Sequence, residues 1–302
     1  MKGGALCRLL AGVALLPASA PAQDGCGQRE PAPGLLVSVQ WLKNHRQDPD
    51  LVVLQVERGR APFDSAHVAG AHFVAMGDFT TKRGELLTEL PPLAQLDSLL
   101  ESLGIGELGR IVLYGEILPA TRLFFTLDYL GLGDRVSLLD GGIAAWREVN
   151  GAITALPTPA PTRARLALHP QAALLADAAW VDAHRSDPRV TVLDARSREE
   201  FEGTRAEEGV ARPGHIPGAQ NLEWSTLLAD GRFRPRSDLQ QLFAGAGATP
   251  GKELVTYCRV GTRASALYFV GRLLGYPVRL YDGSMNDWAS RKALQVVGPP
   301  KP

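Results

Sequence analysis

Three cysteines occur in the 302-residue chain, at positions 7, 26 and 258, and the last sits in a setting suited to covalent chemistry. In ELVTYCRVGTRASALYFVGRLLG (253–275), a short apolar run reads as a buried strand and Cys258 follows it at once. Open α/β sheets hold their ligands at the carboxyl ends of such strands. Five residues come next, Arg259, Val260, Gly261, Thr262 and Arg263, and an apolar helix is expected to start near Ala264. This arrangement predicts a tight loop whose backbone N–H groups point into its own concavity. The helix N-terminus adds partial positive charge and the two arginines add full charges. All three favour a thiolate over a thiol, and an accessible thiolate is a nucleophile. A cysteine at a strand end is otherwise a small buried apolar residue; the two arginines and Gly261 favour the functional reading here.

The chain carries its own control, because it repeats itself. WLKNHRQDPDLVVL (41–54) and WVDAHRSDPRVTVL (180–193) are identical at seven of fourteen positions. AHVAGA (66–71) then answers GHIPGA (214–219), RIVLYG (110–115) answers ELVTYC (253–258), and DGGIAAW (140–146) answers DGSMNDW (282–288). Four matches in one order, at offsets of 139 to 148, indicate duplication. In the first copy Gly115 stands where Cys258 stands, GEILPA replaces CRVGTR, and LQVE (54–57) replaces LDAR (193–196). One copy thus has a thiol with Arg196, Arg259 and Arg263 nearby, and the other has none of them. The first copy reads as an inert partner that still shapes a cleft.

The elements that must position Cys258 follow from hydrophobic patterning. LVVLQV, RIVLY and RVSLL in the first copy, and VTVLDA, ELVTY and VRLY in the second, are short apolar runs of the kind buried in parallel sheets. TRLFFTLDYLG and RASALYFVGRLLG are apolar helices, and an earlier helix is expected ahead of Trp41, stopped at the Asp-Pro that follows. Strands alternating with helices predict an α/β fold: two tandem domains, each a mainly parallel sheet flanked by helices. We place an inactive domain at 34–155, a catalytic domain at 171–296, and a Pro-rich linker at 156–170 that wraps rather than packs.

Composition narrows the classes further. Lys plus Arg and Asp plus Glu each number 32, so no global field argues for nucleic acid or an acidic membrane. Hydrophobic residues at 45% exclude a disordered chain, and three cysteines exclude a disulfide-stapled scaffold and an all-cysteine metal site. Lys2 and Arg8, then LLAGVALL (9–16), then PASAPAQ form the pattern of a secretory signal over 1–22, with cleavage expected before Gln23. The apolar run is far shorter than the ~20 residues of a membrane span. A periplasmic or secreted protein is expected, and a free functional thiol is notable in an oxidising compartment.

With LDARSREEFEG, GHIPGA, YCRVGTRAS and DGSMNDW in the second copy, and weaker echoes in the first, the sequence resembles the tandem-domain rhodaneses, sulfurtransferases of the thiosulfate and 3-mercaptopyruvate group. The resemblance covers nearly the whole chain after the leader. It implies a silent first domain packed on an active second one, with Cys258 as nucleophile. It further implies Arg196 as a substrate anchor and Arg205 as a second one. The implied chemistry is attack of the Cys258 thiolate on the outer sulfur of a donor, a persulfide, and discharge to cyanide or a thiol, with no metal or organic cofactor. Arg196, Arg259 and Arg263 would hold the donor's sulfonate oxygens by charge-assisted hydrogen bonds. Mercaptopyruvate-using relatives typically carry small neutral residues after the cysteine; two arginines here favour dianionic thiosulfate on charge grounds. The partners expected are the small-molecule donor and a thiophilic acceptor, on a monomer.

The same residues admit other readings. Cysteine phosphatases use a Cys-x5-Arg loop, whereas Arg263 is at plus five from Cys258, one residue short. A non-enzymatic sulfur carrier or binding module would show the same loop and differ only in turnover. His215 reads as fixing a turn by hydrogen bonding, His45 and His184 as helix-end residues, and His67 and His72 as structural. Trp146 and Trp288 read as core, Asp140 and Asp282 as turn residues, and Asp194 as structural. Cys26 has no catalytic context.

Overall fold

The computed structural model describes Met1 and residues 34–299. The secretory-signal expectation and Cys26 lie outside the described residues, save for Met1. The first copy forms β1 (Leu36–Val37), β2 (Leu51–Glu57), β3 (His72–Ala75), β4 (Arg110–Gly115) and β5 (Val136–Leu139). They pair in the order β1-β5-β4-β2-β3, all parallel. The second copy forms β6 (Leu175–Ala176), β7 (Val190–Asp194), β8 (Gln220–Asn221), β9 (Glu253–Tyr257) and β10 (Val278–Tyr281), in the order β6-β10-β9-β7-β8. The two topologies are the same, as duplication requires. β4 and β9 are the central strands, so β-branched and aliphatic residues are needed on both faces.

The helices are α1 (Val39–His45), α2 (Ala61–Ser65), α3 (Leu93–Ser102), α4 (Ile117–Tyr129), α5 (Gly142–Glu148), α6 (Ala178–His184), α7 (Arg198–Glu202), α8 (Arg236–Gly245), α9 (Ala264–Leu274) and α10 (Ser284–Trp288). The helix expected ahead of Trp41 in fact runs through it, because Ser38 caps it by accepting from the Trp41 N–H, as Asp177 accepts from that of Trp180. A repeated device closes both copies. His45, His184, His67 and His215 each stack on an aromatic ring, with Nδ1 against that residue's carbonyl oxygen at 2.7–2.8 Å. These histidines are fixtures of the scaffold.

α4 and α9 are apolar around most of their circumference, because each lies between its own sheet and the other copy. Phe125 meets Tyr268 and Phe124 meets Phe269 edge to face, with centroids 5.0 Å apart, so the two copies share one apolar core. Such pairs add about 0.5–1.5 kcal/mol each beyond their burial. The Tyr268 hydroxyl donates to Asp128 at 2.7 Å, and Arg272 pairs with the same carboxylate at 3.1 Å. The linker does pack in part: Leu166 is buried in the shared core and the Ala167 N–H donates to Glu107. Leu166 is apolar and joins that core, which its proline-rich context does not reveal.

A more deeply buried ion pair crosses the same boundary. Arg122 of α4, fully buried, grips both carboxylate oxygens of Asp282, which follows β10, at 2.5 and 3.0 Å. Asp282 was expected to serve only its turn; the pairing shows it fastening the copies together. Glu89, at the end of a two-stranded ribbon of Thr81–Arg83 and Leu86–Glu89, lies beside this pair. Burial and the nearby Asp282 carboxylate push Glu89 up to about 7.

Two outcomes follow. Arg122→Leu strands a buried carboxylate and should cost about 3–5 kcal/mol in urea unfolding; a cost under about 1 kcal/mol would show that the pair is not structural. Glu89 binds a proton more tightly folded than unfolded, so its contribution to stability is full below pH 4.5. That contribution is lost as pH rises toward about 7. Glu89→Gln should remove this decline, on the order of 1–3 kcal/mol over that window, and superimposable stability–pH curves for the two proteins would refute it.

Candidate active site

Cys258 follows the central strand β9, and the loop to α9 curls around it. Gly261 has φ +86°, and a Cβ there would lie 2.6 Å from Asp282 Oδ1, so the turn accepts only glycine. The Cys258 N–H donates to Ser284 Oγ at 3.1 Å, and the Cys258 carbonyl accepts from the Met285 N–H at 3.0 Å. Among the described residues no acceptor takes the backbone N–H groups of Val260, Gly261 or Thr262. The loop thus holds three donors without a protein partner.

The thiol is less open than expected. Cys258 is 1% exposed, at the floor of a cleft of about 510 Å³. The reason is the first copy, which supplies Arg58, Met76, Thr88 and Leu118 to the cleft wall. The second copy adds Arg259, Val260, Thr262, Arg263 and two carboxylates that sequence reasoning missed, Glu200 and Glu207. The silent copy was read as contributing no cation, yet Arg58 lines the cleft, paired with Glu116. The cleft at Cys258 is thus walled by both copies.

Of the four arginines singled out from sequence, two are at the cleft and two are not. Arg263 donates to Glu200 at 2.7 Å and to Glu207 at 2.5 Å. Burial works against its charge, but Cys258, Glu207 and Glu200 outweigh that and hold the guanidinium above its ordinary range. Arg259 donates to the Glu208 carbonyl at 3.1 Å, with Nε 3.9 Å from Glu207. Arg196, expected to anchor substrate, is 1% exposed and does not line the cleft. It holds Asp194 through Nε and Nη2, Glu207 at 3.1 Å and the Gly214 carbonyl at 2.8 Å. A guanidinium so fully engaged orients Glu207 from behind. Arg205 also lies outside the cleft, where it pairs with Glu200 at 3.1 Å and reaches Ser197 Oγ.

Glu200 and Glu207 therefore tie Arg196, Arg205, Arg259 and Arg263 into one network. Burial and the facing Glu200 carboxylate raise Glu207. Burial also opposes Glu200's charge, but Glu207 and Arg263 overcome it and bring Glu200 down to about 2. The proton is thus held on Glu207 first. The capping box in which Ser197 bonds Glu200 in α7 was legible as S-x-x-E in the sequence; its outward reach to Arg263 was not.

The matching place in the first copy is built differently. Gly115 has φ +121°, and a Cβ there would stand 2.4 Å from the Val56 carbonyl oxygen. Glu57, at the position of Arg196, accepts from Gln55 Nε2 and from the Glu116 N–H. Acid replaces base, and the backbone occupies the space of a side chain.

Fold and site together define a duplicated α/β protein with one cysteine-loop centre. The rhodanese-like domain family model matches residues 38–149 and again 177–291. The chain belongs to the rhodanese-like family, in its tandem-domain form. It is 32% identical to a Thermus thermophilus protein named "Sulfur carrier protein TtuD" over 288 residues, 88% of this chain and 97% of that one. It is 35% identical to a Pseudomonas aeruginosa "Probable 3-mercaptopyruvate sulfurtransferase", covering 84% and 94%. It is 31% identical to an Azotobacter vinelandii "Thiosulfate sulfurtransferase", covering 87% and 96%. The crystal structure of SseA from Escherichia coli shares the fold, with a TM-score of 0.74 at 23% identity over 83% of this chain and 99% of that one.

The network makes a testable statement about charge. Glu207→Gln leaves Arg259 and Arg263 less compensated, so sulfate, a divalent oxyanion, should bind the cleft severalfold more tightly by calorimetry at neutral pH. Equal affinity for the two proteins would show that Glu207 does not offset the loop cations.

Proposed function

We propose that this protein is a sulfurtransferase that moves a sulfane sulfur from thiosulfate to a thiophilic acceptor through a persulfide on Cys258. The observation that carries the reading is the loop itself: a buried thiol at a strand end, ringed by uncommitted N–H groups and by Arg58, Arg259 and Arg263. The Cys258 thiolate attacks the outer sulfur of thiosulfate, a new S–S bond forms, the donor S–S bond breaks, and sulfite leaves with the electron pair. Cyanide or a thiolate then attacks the terminal sulfur, and Cys258 recovers its thiolate. The loop N–H groups stabilise the persulfide anion as an oxyanion hole stabilises its oxygen. We further propose that the protein works outside the cytoplasm, on the strength of its leader sequence alone, and as a monomer with neither nucleic acid nor cofactor.

One observation favours a second donor. Glu200 and Glu207 offset much of the charge of Arg259 and Arg263, which weakens the preference for a dianion and admits the monocarboxylate 3-mercaptopyruvate. The Pseudomonas relative bears that donor's name.

The deciding experiment is intact-protein mass after incubation with each donor, beside Cys258→Ala, followed by cyanide. A gain of one sulfur from thiosulfate, absent in the variant and released as thiocyanate, is the expected result. A gain from mercaptopyruvate alone would replace the donor. No gain from either would leave a sulfur-independent binding module, and the proposal would fall.

A further inference from the structure

Thr88 belongs to the silent copy, yet its side chain reaches the Cys258 loop. Its φ is +57°, a left-handed backbone that a β-branched residue seldom adopts. Among the described residues the other non-glycine positions with positive φ are Asn150, Asp230 and Ser284, none of them β-branched. Ser284 also touches the loop, at the Cys258 N–H. Strain of this kind persists only where the surroundings over-determine it. At Thr88 they do. Its carbonyl accepts from Arg122 Nη2 at 2.6 Å, while the same guanidinium holds Asp282. Two residues on, the Leu90 N–H donates to Asp282 Oδ2 at 3.2 Å. The backbone that follows the strained bond is thereby moored to the Arg122–Asp282 pair, whose carboxylate abuts Gly261.

That mooring aims the Thr88 hydroxyl, which donates to the Val260 carbonyl and lies 3.5 Å from Thr262 Oγ1. A trans peptide points its C=O and N–H in opposite directions. With the Val260 carbonyl fixed on Thr88, the Gly261 N–H must point away from Thr88, and no protein acceptor among the described residues takes it. Glycine's freedom would otherwise allow this peptide plane to flip, because Gly261 tolerates either sign of φ. We propose that Thr88 is a positioning residue for sulfur transfer: its hydroxyl locks the Val260–Gly261 peptide so that the Gly261 N–H serves the sulfur of Cys258. The silent copy thereby supplies part of the catalytic loop's order. This rests on the persulfide cycle proposed above.

Three variants separate positioning from packing. Thr88→Val keeps the shape and loses the hydroxyl; Thr88→Ser keeps the hydroxyl; Thr88→Gly loses the hydroxyl and relieves the backbone. The rate of persulfide loading should fall on the order of tenfold or more in the valine and glycine variants, and stay within about twofold in the serine variant. Thr88→Gly should melt no lower than the parent, because glycine adopts this φ without strain. Slower transfer in a protein that is no less stable is a signature that lost packing does not produce. A companion measurement needs no sulfur donor: the rate of Cys258 alkylation by iodoacetamide at fixed pH should drop in the same two variants. If the valine variant alkylates at the parent's rate, or the serine variant slows as much as valine, the positioning role is refuted. This holds even in a protein that never loads sulfur, the outcome that would instead sink the functional reading.

Discussion

The arrangement depends on one buried ion pair, Arg122 with Asp282. A guanidinium taken fully out of water is costly unless its geometry is satisfied on several sides. Here it holds two carboxylate oxygens and the Thr88 carbonyl at once. Those contacts fix the distance between α4 of one copy and the turn after β10 of the other. Asp282 in turn abuts Gly261, so the domain boundary and the Cys258 loop are set by the same group. The apolar helix faces supply most of the adhesion between the copies. The ion pair supplies the register, which greasy faces alone leave loose.

The second organising theme is compensation of charge around the thiol. Five arginines lie at or just behind the cleft, and Glu200 and Glu207 engage four of them. Arg58, the fifth, is answered by Glu116 from its own domain. A site this balanced does not attract anions by brute field. It offers directed hydrogen bonds from groups that the carboxylates hold still, with Arg196 bracing Glu207 from the interior. Selectivity then rests on geometry and on which carboxylate carries a proton.

Local signals were legible in the chain and long-range ones were not. The three inner strands of each sheet showed as apolar runs, the two short edge strands did not, and α9 starts at Ala264, as its sequence implied. The Cys258 loop was legible because strand, turn and helix are contiguous. For Arg196 a family position gives a residue's place and not its partners; its two-residue neighbour Asp194 holds it. Glu200 and Glu207 were hidden inside a run of charges in REEFEGTRAEEG that looks solvated. Thr88 and Arg122 act across separations of 172 and 160 residues, where no spacing rule applies. One clue existed for Arg122: a lone cation inside TRLFFTLDYLG has no water to face if that helix is buried.

Gly115 carries a historical consequence. Gene duplication is usually pictured as leaving a spare that mutation could reawaken. In this spare the chain has closed over the vacancy, with the Val56 carbonyl oxygen 2.4 Å from where any side chain would begin. A codon change to cysteine would meet that oxygen before it could meet a substrate. The strand would have to retreat first, and an intermediate with a retreated strand and no thiol brings the organism nothing. Restoring a side chain at Gly115 thus takes two coordinated changes, one in the residue and one in the strand beside it.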